Sequence, residues 1–453
     1  MPDQILWHDE LRHPILERLI NHNPYPLRGR VHKVIGPMLE ATGINASIGD
    51  ACELFCSSGT NIEAEVVGFR DDRIILMPVG STRGIAPGDA VLSRHSAPTI
   101  PVDDHLLGRV INALGQSMDG RPLKPQGPSC PLHGQRINPF SRHLIDTPMQ
   151  LGVKAMDGCL PMGWGQRLGI FAGAGVGKSS LMGMLARNTD ADINVIALVG
   201  ERGREVREFL DLALGAEALK RSVVVVSTSD TPPVLRVRAA LMATTIAEQF
   251  RHNGHRVLLM MDSLTRFAQA QREIGLMLGE PPTTKGFTPS CFSAIAELLE
   301  RAGPDEGGGN LSALYTVLVE GDDLSADPVA DASMAILDGH IVLERRLAEQ
   351  GHYPAINILR SISRLENQLS SNEQMMAARS LRKDLSLYEE MEDMINMGAY
   401  ESGSNPQLDG VIARMDSIRA FLQQTPEENT PRHQAVEQLL TLHAQQQSSV
   451  ARS

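Results

Sequence analysis

A glycine-rich segment, Gly173–Ser179, combines residue types that bind nucleotide phosphates. Glycines free backbone N–H groups to curl around phosphate oxygens, the ammonium of Lys178 reaches the outer phosphates, and the hydroxyl of Ser179 is a ligand for Mg²⁺. The spacing therefore predicts a phosphate loop for ATP or GTP, with Mg²⁺ as the cofactor. Its predicted nucleotide-binding residues are Gly173, Ala174, Gly175, Val176, Gly177, Lys178, Ser179 and Ser180.

Two carboxylates follow apolar runs and are candidates for the remaining chemistry. Asp262 ends the run Val257–Met261, where a carboxylate can bind Mg²⁺ beside a phosphate loop. An Asp that merely caps a turn or a helix gives the same pattern, and the upstream phosphate loop favours the metal role. Glu201 follows a second run and can orient and polarise the water that attacks a γ-phosphate. The alternative, a solvated charge run that opens a helix, is preferred for Glu205, Arg207 and Glu208.

The segments on either side of the loop must place it at the end of a strand. Arg167–Phe171 has the apolar character of a short buried strand, and Ser180–Ala186 that of an apolar helix. Strand, loop and helix is the order that a phosphate loop requires. The usual pattern begins with Gly six positions before the Lys, where this chain has Ala172, and we expect the next residue, Gly173, to supply the turn.

Further apolar runs indicate the architecture around this loop. The runs Asn194–Val199, Ser222–Ser227, Arg256–Met261 and Ala313–Val319 alternate with helix-like stretches. Such alternation is typical of a parallel sheet covered by helices on both faces, so the predicted fold class is α/β. After Gln368 the chain is strand-poor, with helical patterns at Met375–Met397, Leu408–Gln424 and His433–Gln447.

The N-terminal part of the chain has a different texture. Apolar residues at helical spacing on both sides of Pro14 predict an amphipathic arm, which either packs on its own protein or docks a partner helix. Short apolar runs from Leu27 to Val91 predict a small β-rich domain, a barrel. Between residues 98 and 158, the run Leu107–Gly115 precedes a Pro-, Gly- and His-containing stretch to Pro148 that is interpreted as a connector, and residues 303–310 are interpreted as a mobile loop. The predicted limits are 1–23 for the arm, 24–95 for the barrel, 96–368 for the ATPase domain and 369–453 for the helical domain.

Composition restricts the class of protein. The chain has 453 residues, of which 42% are hydrophobic and 21% charged, and no apolar run approaches the roughly 18 residues of a membrane helix. The N-terminus lacks the features of a secretory signal, which predicts a cytoplasmic location. A formal net charge of −12 gives no global basic field for nucleic acid. The five cysteines show no metal-site spacing and are predicted to be free thiols.

Several segments, taken together, resemble the ATPases of type III protein export, which are relatives of the catalytic subunits of rotary F-type ATP synthases. The resemblance spans about residues 25–425 and favours the flagellar export ATPase at Ser361–Arg364 and Met394–Tyr400, with the injectisome ATPase of virulence systems close behind. It implies a RecA-like P-loop ATPase core. The matching segments are Gly173–Ser179, Gly200–Val206, Thr228–Asp230, Thr244–Glu248, Met261–Arg266 and Gly351–Ile356.

The resemblance implies a role for four residues. Glu201 matches the carboxylate that activates water, Arg202 the arginine that follows it near the γ-phosphate, and Tyr353 the aromatic residue that stacks on adenine. Arg364 matches the arginine finger that a neighbouring subunit donates. On residue type alone, Tyr353 would be a core aromatic and Arg364 a surface ion pair. If Glu201 and Arg364 serve opposite faces of one chain, identical subunits placed head to tail close as a ring.

The family resemblance also implies a cellular role. We expect a homohexameric Mg²⁺-ATPase, peripherally associated with an export apparatus of the inner membrane, that drives unloading or unfolding of export substrates. The implied partners are a stator or regulator protein on the N-terminal arm, a central stalk protein, export chaperones with their substrates, and the export gate. Nucleic acid is not an expected partner.

Two other classes of protein share parts of this pattern. A hexameric RNA motor similar to the terminator Rho has the same core, but RNA sites need aromatic and basic residues, and this chain is acidic and 4% aromatic. A non-catalytic ring subunit would bind nucleotide without turnover, and the presence of Lys178, Glu201 and Asp262 together argues against it.

Overall fold

The structure is a computed structural model that describes residues 28–134, 138–304, 308–321 and 323–450. The predicted N-terminal arm, residues 1–23, lies outside the described residues, as do residues 305–307 of the predicted mobile loop. The chain divides after Pro98 into two compact units. No helix in the described ranges is both long enough and apolar enough to span a bilayer.

The first unit contains a closed six-stranded antiparallel barrel, which confirms the predicted β-barrel. Its strands pair in the order β1-β2-β5-β4-β3-β6. Alternate side chains point inwards and form the barrel core, including the fully buried Leu39, Leu54 and Leu76. The strands are β1 (Arg28–Ile35), β2 (Met38–Thr42), β3 (Ala51–Phe55), β4 (Asn61–Arg70), β5 (Arg73–Pro78) and β6 (Ala90–Ser93).

The second unit is built on a nine-stranded sheet, which confirms the predicted α/β class. The sheet order is β19-β18-β12-β17-β15-β13-β14-β8, with β16 paired to β17 off this path. Seven of these strands run parallel, whereas the edge strand β19 is antiparallel to β18. The strands of the sheet are β8 (Arg109–Asn112), β12 (Arg167–Ala172), β13 (Ile193–Glu201), β14 (Ser222–Thr228), β15 (Arg256–Asp262), β16 (Gly303–Pro304), β17 (Asn310–Leu318), β18 (Gly339–Leu343) and β19 (Ile356–Ser363).

Two short strand pairs lie outside this sheet. They are formed by β7 (Thr99–Pro101) with β9 (Ser129–Pro131), and by β10 (Pro148–Met149) with β11 (Met162–Gly163). The run Leu107–Gly115, which precedes the predicted connector and was assigned no element, contains β8, an edge strand of the large sheet. With four residues flanked by Gly108 and Gly115, β8 is too short for the sequence pattern to assign it as a strand.

The large sheet has apolar side chains on both faces, as the predicted fully covered sheet requires. Along β13, Ile196 and Leu198 belong to one buried cluster, while Val195, Ala197 and Val199 belong to the other. The helices are α1 (Lys154–Cys159), α2 (Lys178–Asn188), α3 (Gly203–Glu208), α4 (Gly215–Lys220), α5 (Pro233–His252), α6 (Leu264–Leu278), α7 (Pro289–Leu299), α8 (Pro328–Ile336), α9 (Arg345–Glu349), α10 (Glu366–Leu369), α11 (Asn372–Asn396), α12 (Pro406–Leu422) and α13 (Arg432–Val450).

The three C-terminal helices α11, α12 and α13 confirm the predicted helical region. Val411 and Phe421 of α12 and Leu439 of α13 join the same buried cluster as the strand residues Leu168 and Ile170. This region therefore packs on the sheet and shares its core. The predicted boundary between the ATPase domain and the helical domain, at residues 368 and 369, stays a prediction.

Candidate nucleotide-binding and hydrolysis site

The predicted phosphate loop lies between the carboxyl end of β12 and the first turn of α2. Gly175 and Gly177 take left-handed φ angles of 77° and 87°, which favour glycine. Gly173 does not, and a methyl group there would meet nothing closer than 3.9 Å, so the expectation that Gly173 supplies the turn was wrong. The later glycines make the turn and leave the loop open at the helix N-terminus, where an anion is favoured.

Two predicted catalytic side chains, Lys178 and Glu201, meet the predicted metal ligand Asp262 at this end of the sheet. The Lys178 ammonium donates to Asp262 Oδ1, and it lies 3.6 Å from Glu201 Oε1. These residues come from α2, β15 and β13, and they converge because β13 and β15 are adjacent parallel strands that end together. The side chains of Lys178, Glu201 and Asp262 are 12%, 15% and 5% exposed. Their charges are thus shielded from most of the solvent.

Burial and electrostatic repulsion both shift the pKa of the Glu201 carboxyl. Loss of hydration raises the pKa of this carboxyl, the neighbouring Asp262 charge raises it further, and Lys178 only partly opposes them, giving a pKa of about 7. A carboxyl with such a pKa can take up and release a proton near neutral pH. For Lys178, burial acts to lower the pKa, but attraction to Asp262 and Glu201 outweighs it, so the pKa is raised and the ammonium stays charged.

A register irregularity sets the direction of Glu201. The pairing of β13 with β14 shifts between Val199 and Glu201, and Gly200 between them has a φ of 71°. A methyl group at Gly200 would lie 2.8 Å from Cβ of Arg266, so only glycine fits there. Such bulges occur beside active sites, where they redirect a side chain. Gly200 is the sequence signal for this bulge.

Asp262 has a second partner that the sequence reasoning missed. The Thr316 hydroxyl donates to Asp262 Oδ1 over 2.7 Å, from the adjacent strand β17. Thr316 is fully buried. A threonine within the apolar run Ala313–Val319 was the available signal. After Asp262, the Ser263 side chain accepts from the Arg266 N–H and caps α6, so a capping role belongs to Ser263.

Oxygen atoms suited to Mg²⁺ are available at this site. Asp262 supplies a buried carboxylate and Ser179 an exposed hydroxyl beside Lys178, and Mg²⁺ prefers such oxygen ligands. The following Ser180 is also exposed in the first turn of α2. The donor set therefore fits the predicted ion together with a nucleotide phosphate.

Tyr353 lies against the phosphate loop, although it is far away in sequence. A methyl group at Gly177 would contact ring carbons Cδ1 and Cε1 of Tyr353 at 3.4 Å. The Tyr353 side chain is 44% exposed, so part of the ring is available to a ligand. Arg345 of α9, which the sequence reasoning missed, donates from Nη2 to the Ala174 carbonyl over 3.3 Å. The α9 region is thereby joined to the loop.

The other two predicted catalytic residues, Arg202 and Arg364, lie apart from the cluster of Lys178, Glu201 and Asp262 in the described structure. Arg202 is highly exposed, and its Nη1 lies 3.4 Å from Glu205 Oε1. Arg364 follows the edge strand β19, and its N–H donates to the Asp338 carbonyl over 3.0 Å. Because Asp338 pairs with Arg167 at the start of β12, Arg364 lies at the opposite end of β12 from the phosphate loop. A six-residue strand separates these ends by about 20 Å.

Arg266 is a further cation at the site that carried no predicted role. Its stem packs on Gly200 next to Glu201, and its Nη1 donates to Gln269 Oε1 over 2.9 Å. Its Nε is buried without a hydrogen-bond partner. Arg266 lies in the first turn of the helix that follows Asp262, and this position was the sequence signal that could have identified it.

Family models match three segments of the chain. Residues 31–94 match the ATP synthase alpha/beta family β-barrel domain, and residues 152–363 match the nucleotide-binding domain of that family. Residues 370–441 match the T3SS EscN ATPase C-terminal domain.

Curated relatives carry two kinds of name. The chain is 49% identical over 407 residues to the flagellum-specific ATP synthase of Pseudomonas aeruginosa, covering 89% of this chain and 90% of the relative. It is 48% identical over 414 residues to the type 3 secretion system ATPase of Xanthomonas euvesicatoria, covering 91% and 93%. Relatives with these two names are therefore nearly equally identical in sequence to this chain.

Solved structures of EscN from the type III secretion system of enteropathogenic E. coli share the fold. The assembled EscN superposes with a TM-score of 0.86 at 42% identity, and covers 91% of this chain and 99% of its own. EscN in complex with its central stalk EscO has a TM-score of 0.83, with the same identity and coverage. By its sequence, its three matched segments and its fold, this chain belongs to the family of type III secretion and flagellum-specific ATPases, a branch of the ATP synthase alpha/beta family.

Proposed function

We propose that this chain hydrolyses Mg²⁺-ATP at the carboxyl edge of its sheet, and that hydrolysis energises type III protein export. The observation that carries the catalytic part is the convergence of Lys178, Glu201 and Asp262 next to an open phosphate loop. Membership in a family of export ATPases supports the export part. The proposed substrates of export are chaperone-bound proteins that are unloaded or unfolded.

The phosphate loop and the residues around it bind the nucleotide phosphates in this proposal. The N–H groups of Gly173–Ser180 and the Lys178 ammonium hold the phosphates, because helix N-termini and lysine ammonium groups favour anions. Ser179 and Asp262 would hold Mg²⁺, which when bound neutralises charge on the phosphate oxygens. In the described structure Lys178 contacts both carboxylates, so phosphate binding requires it to exchange these contacts for phosphate oxygens.

The chemical step falls to Glu201 as the base that orients and polarises the attacking water. Its pKa of about 7 supports this role, because a base is most effective when its pKa lies near the working pH. Arg202 follows Glu201 in the chain and, with Arg266, supplies positive charge at that side of the site. Tyr353 supplies a stacking surface for adenine, which its exposed ring beside Gly177 supports.

The finger residue requires a second subunit. Arg364 is exposed at the amino edge of the sheet, whereas the nucleotide site is at the carboxyl edge. We infer that it completes the site of the next copy, so that identical chains associate head to tail and close as a homohexamer. The assembled state named for EscN supports association of this family. An arginine at the transferring phosphoryl is worth about 10³–10⁵ in rate, so a lone monomer would be nearly inactive.

The proposed partners follow from the family. The EscN complex with its central stalk EscO supports a stalk protein within the ring. A stator or regulator on residues 1–23, chaperones with export substrates near the C-terminal helices, and an export gate at the inner membrane complete the proposal. The proposed location is cytoplasmic, at the membrane-bound export apparatus. Flagellar export is our first choice, because Ser361–Arg364 and Met394–Tyr400 resemble the flagellar export ATPase. Virulence secretion is the alternative, since relatives of both kinds are about equally similar to this chain.

Phosphate release by the purified chain tests the catalytic part. Wild type is expected to release phosphate from ATP only with Mg²⁺ present, and the Lys178→Ala variant is expected to be inactive. Added RNA should leave the rate unchanged, whereas strong stimulation would favour a nucleic-acid motor. Binding of ATP without phosphate release at any protein concentration would identify a non-catalytic ring subunit.

Secretion by the source cells tests the export part. Deleting the gene is expected to abolish secretion of flagellar subunits, and a plasmid copy should restore it only when Lys178 is intact. Loss of needle-complex proteins with normal flagella would assign the chain to virulence secretion. The identity of the neighbouring genes, flagellar or needle-complex, separates the same two alternatives. Normal secretion of both kinds in the deletion strain would contradict the export role.

A further inference from the structure

Arg345 is an exposed cation beside the phosphate loop. Its Nη2 donates to the Ala174 carbonyl over 3.3 Å, and both residues are exposed to solvent. This contact is longer than the common N–H···O distance of about 2.9 Å, and its acceptor is neutral. No acidic side chain in the described part of the chain forms an ion pair with Arg345. The guanidinium is therefore weakly held, and no carboxylate neutralises its charge.

The next residue of the same helix has the opposite arrangement. Arg346 Nη2 lies 2.8 Å from Glu389 Oε1, and its Nη1 lies 2.7 Å from Glu392 Oε2. Both carboxylates belong to α11, so these pairs anchor α9 on the C-terminal helices. The short helix thus carries one arginine that anchors it and one, Arg345, that it holds next to the loop without a charged partner.

The cluster beside the loop has no positive charge to spare. The single ammonium of Lys178 faces two carboxylates, those of Glu201 and Asp262. A nucleotide brings further negative charge on its phosphates, and Mg²⁺ neutralises only part of it. Negative charge that is shielded from solvent is stable only when opposite charge lies close to it. A further cation within reach of the phosphates would therefore strengthen their binding.

The position of Ala174 indicates which phosphate lies nearest to Arg345. In a phosphate loop the backbone N–H groups and the opening of the helix hold the inner phosphates, and the lysine ammonium reaches outward to the terminal one. Ala174 lies at the end of the loop away from α2, whose first residue is Lys178. We therefore expect the guanidinium on its carbonyl to face the terminal phosphate, which ATP has and ADP lacks.

We propose that Arg345 binds the terminal phosphate of ATP in its own chain and exchanges the Ala174 carbonyl for phosphate oxygens. Bonds between a guanidinium and a phosphate are charge-assisted and can form in parallel pairs, so they are stronger than one bond to a neutral carbonyl. The inference rests on the proposed function and deepens it, because it names a residue that distinguishes the substrate from the product ADP. This role requires no second copy of the chain.

The exposure of Arg345 makes the proposal testable without damage to the fold, because surface substitutions rarely destabilise a protein. Arg345→Ala removes the charge, whereas Arg345→Lys keeps the charge but cannot form two parallel bonds. Arg346→Ala is the matched control, since it removes the same type of side chain from the same helix. The thermal midpoint without nucleotide shows whether each variant is folded.

Equilibrium titration with a non-hydrolysable ATP analogue and with ADP, each with Mg²⁺, measures the two affinities. Arg345→Ala should weaken binding of the analogue about 10- to 100-fold and binding of ADP less than about 3-fold, because only the analogue has the terminal phosphate. Arg345→Lys should lie between Arg345→Ala and wild type. Arg346→Ala should leave the ratio of the two affinities at its wild-type value.

Other results would show that Arg345 only braces the loop. If Arg345→Ala weakens binding of the analogue and of ADP equally, the proposal is overturned, since a displaced loop would hold both nucleotides poorly. Unchanged affinity for the analogue also overturns it. If Arg346→Ala changes the ratio as strongly as Arg345→Ala, the position of α9 and not the Arg345 guanidinium causes the effect, and the proposal fails.

Protein concentration tests whether Arg345 serves its own chain. Titrations at concentrations where sedimentation velocity shows monomers should give the same loss for Arg345→Ala as titrations of the assembled protein. A loss confined to assembled protein overturns the assignment to the same chain. Wild type that binds ATP but releases no phosphate at any concentration contradicts the proposed function, whereas the difference between ATP and ADP is a binding measurement that tests Arg345 separately.

Discussion

The two edges of the large sheet differ in how complete they are. At the carboxyl edge Lys178, Glu201 and Asp262 are mostly buried and contact one another, with Thr316 behind them. At the amino edge Arg364 is exposed and donates from Nη2 to the Met334 carbonyl over 2.9 Å. One edge is a nearly finished site, and the other presents a cation with no carboxylate partner within hydrogen-bonding distance among the described residues.

Under the proposed function, this difference would let a single kind of chain supply both halves of a catalytic interface. Parallel strands carry their carboxyl ends to one edge, and the antiparallel strand β19 carries its own carboxyl end to the other. Reversal of one edge strand therefore places Arg364 about a strand length from the phosphate loop of its own chain. The proposed head-to-tail association would bring the two edges together.

Removal of the finger should have the largest effect. Arg364→Ala is expected to lower turnover about 10³–10⁵-fold while nucleotide binding, measured by equilibrium titration, stays near the wild-type value. The reason is that, in the proposed assembly, Arg364 acts on developing phosphoryl charge in another copy and contacts no nucleotide in its own.

Mixing distinguishes a finger given to another copy from one used within the chain. Arg364→Ala mixed with Glu201→Gln should regain part of the activity, because some interfaces combine an intact Glu201 with an intact Arg364. The control is Arg364→Ala mixed with the double variant Glu201→Gln/Arg364→Ala, which contains no intact finger and should stay inactive. Mixed rings without activity, after co-assembly has been shown, would contradict action between copies.

Removal of the base should have the next largest effect. Glu201→Gln is expected to lower turnover about 10²–10⁴-fold, measured by phosphate release. In wild type, kcat/KM should rise with pH through about 7, because Glu201 accepts a proton only after it ionises. The residual rate of Glu201→Gln should lack this rise. A wild-type profile that is flat between pH 6 and 8 would argue against Glu201 as the base.

The same raised pKa has a consequence for stability. The folded-state pKa of Glu201 exceeds its ordinary value of 4.5, so its favourable contribution is complete below pH 4.5 and is lost as pH rises through about 7. Glu201→Gln, which cannot ionise, should therefore have a thermal midpoint at pH 8 at least equal to that of wild type. A clearly lower midpoint would show that the Lys178 contact outweighs the repulsion from Asp262.

Removal of the stacking ring should affect binding more than turnover. Tyr353→Ala is expected to raise KM for ATP about 10-fold, the effect of losing one base–aromatic stack, with kcat little changed. Tyr353→Phe keeps the ring and is the matched control, expected to behave as wild type. A large loss of kcat with unchanged KM would contradict a purely adenine-binding role.

The sequence predicted the carboxyl edge better than the amino edge for a physical reason. Lys178, Glu201 and Asp262 each sit at the start of a helix or the end of a continuous apolar run, and such runs are visible without a structure. By contrast β19 is not a continuous apolar run, because it contains Arg360, Ser361 and Ser363, and the two serines are buried with their hydroxyls hydrogen-bonded to Asn357 and Pro161 carbonyls. It was not predicted as a strand, and neither was the short edge strand β8.

Long-range geometry accounts for the rest of what sequence left undetermined. That Arg364 and the phosphate loop occupy opposite ends of β12 depends on the pairing of β18 with β12 and of β19 with β18. No local pattern encodes these pairings. The Thr316 contact with Asp262 likewise depends on the neighbouring position of β17 and β15. The family resemblance implied the roles of these residues, and the order of the strands in the sheet determines where the residues lie.

The smallest predicted effect concerns this Thr316 contact within the finished edge. Thr316→Val keeps the shape of the side chain and removes one hydrogen bond to a carboxylate, a loss worth about 1.5–3 kcal/mol for a charged partner. Because Mg²⁺ would still hold the same carboxylate during turnover, we expect only about a 3- to 10-fold loss of turnover, together with a higher Mg²⁺ requirement.

A second buried threonine separates this effect from simple destabilisation. Thr244 is fully buried in α5, and its hydroxyl donates to the Ala240 carbonyl within the same helix. Thr244→Val should change the Mg²⁺ dependence of phosphate release little, whatever it does to the thermal midpoint. Thr316→Ser, which keeps the hydroxyl, should retain the wild-type Mg²⁺ dependence. If Thr316→Val and Thr244→Val shift that dependence equally, the Thr316 contact with Asp262 does not tune the metal site, and the Thr316 hydroxyl contributes only to the stability of the fold.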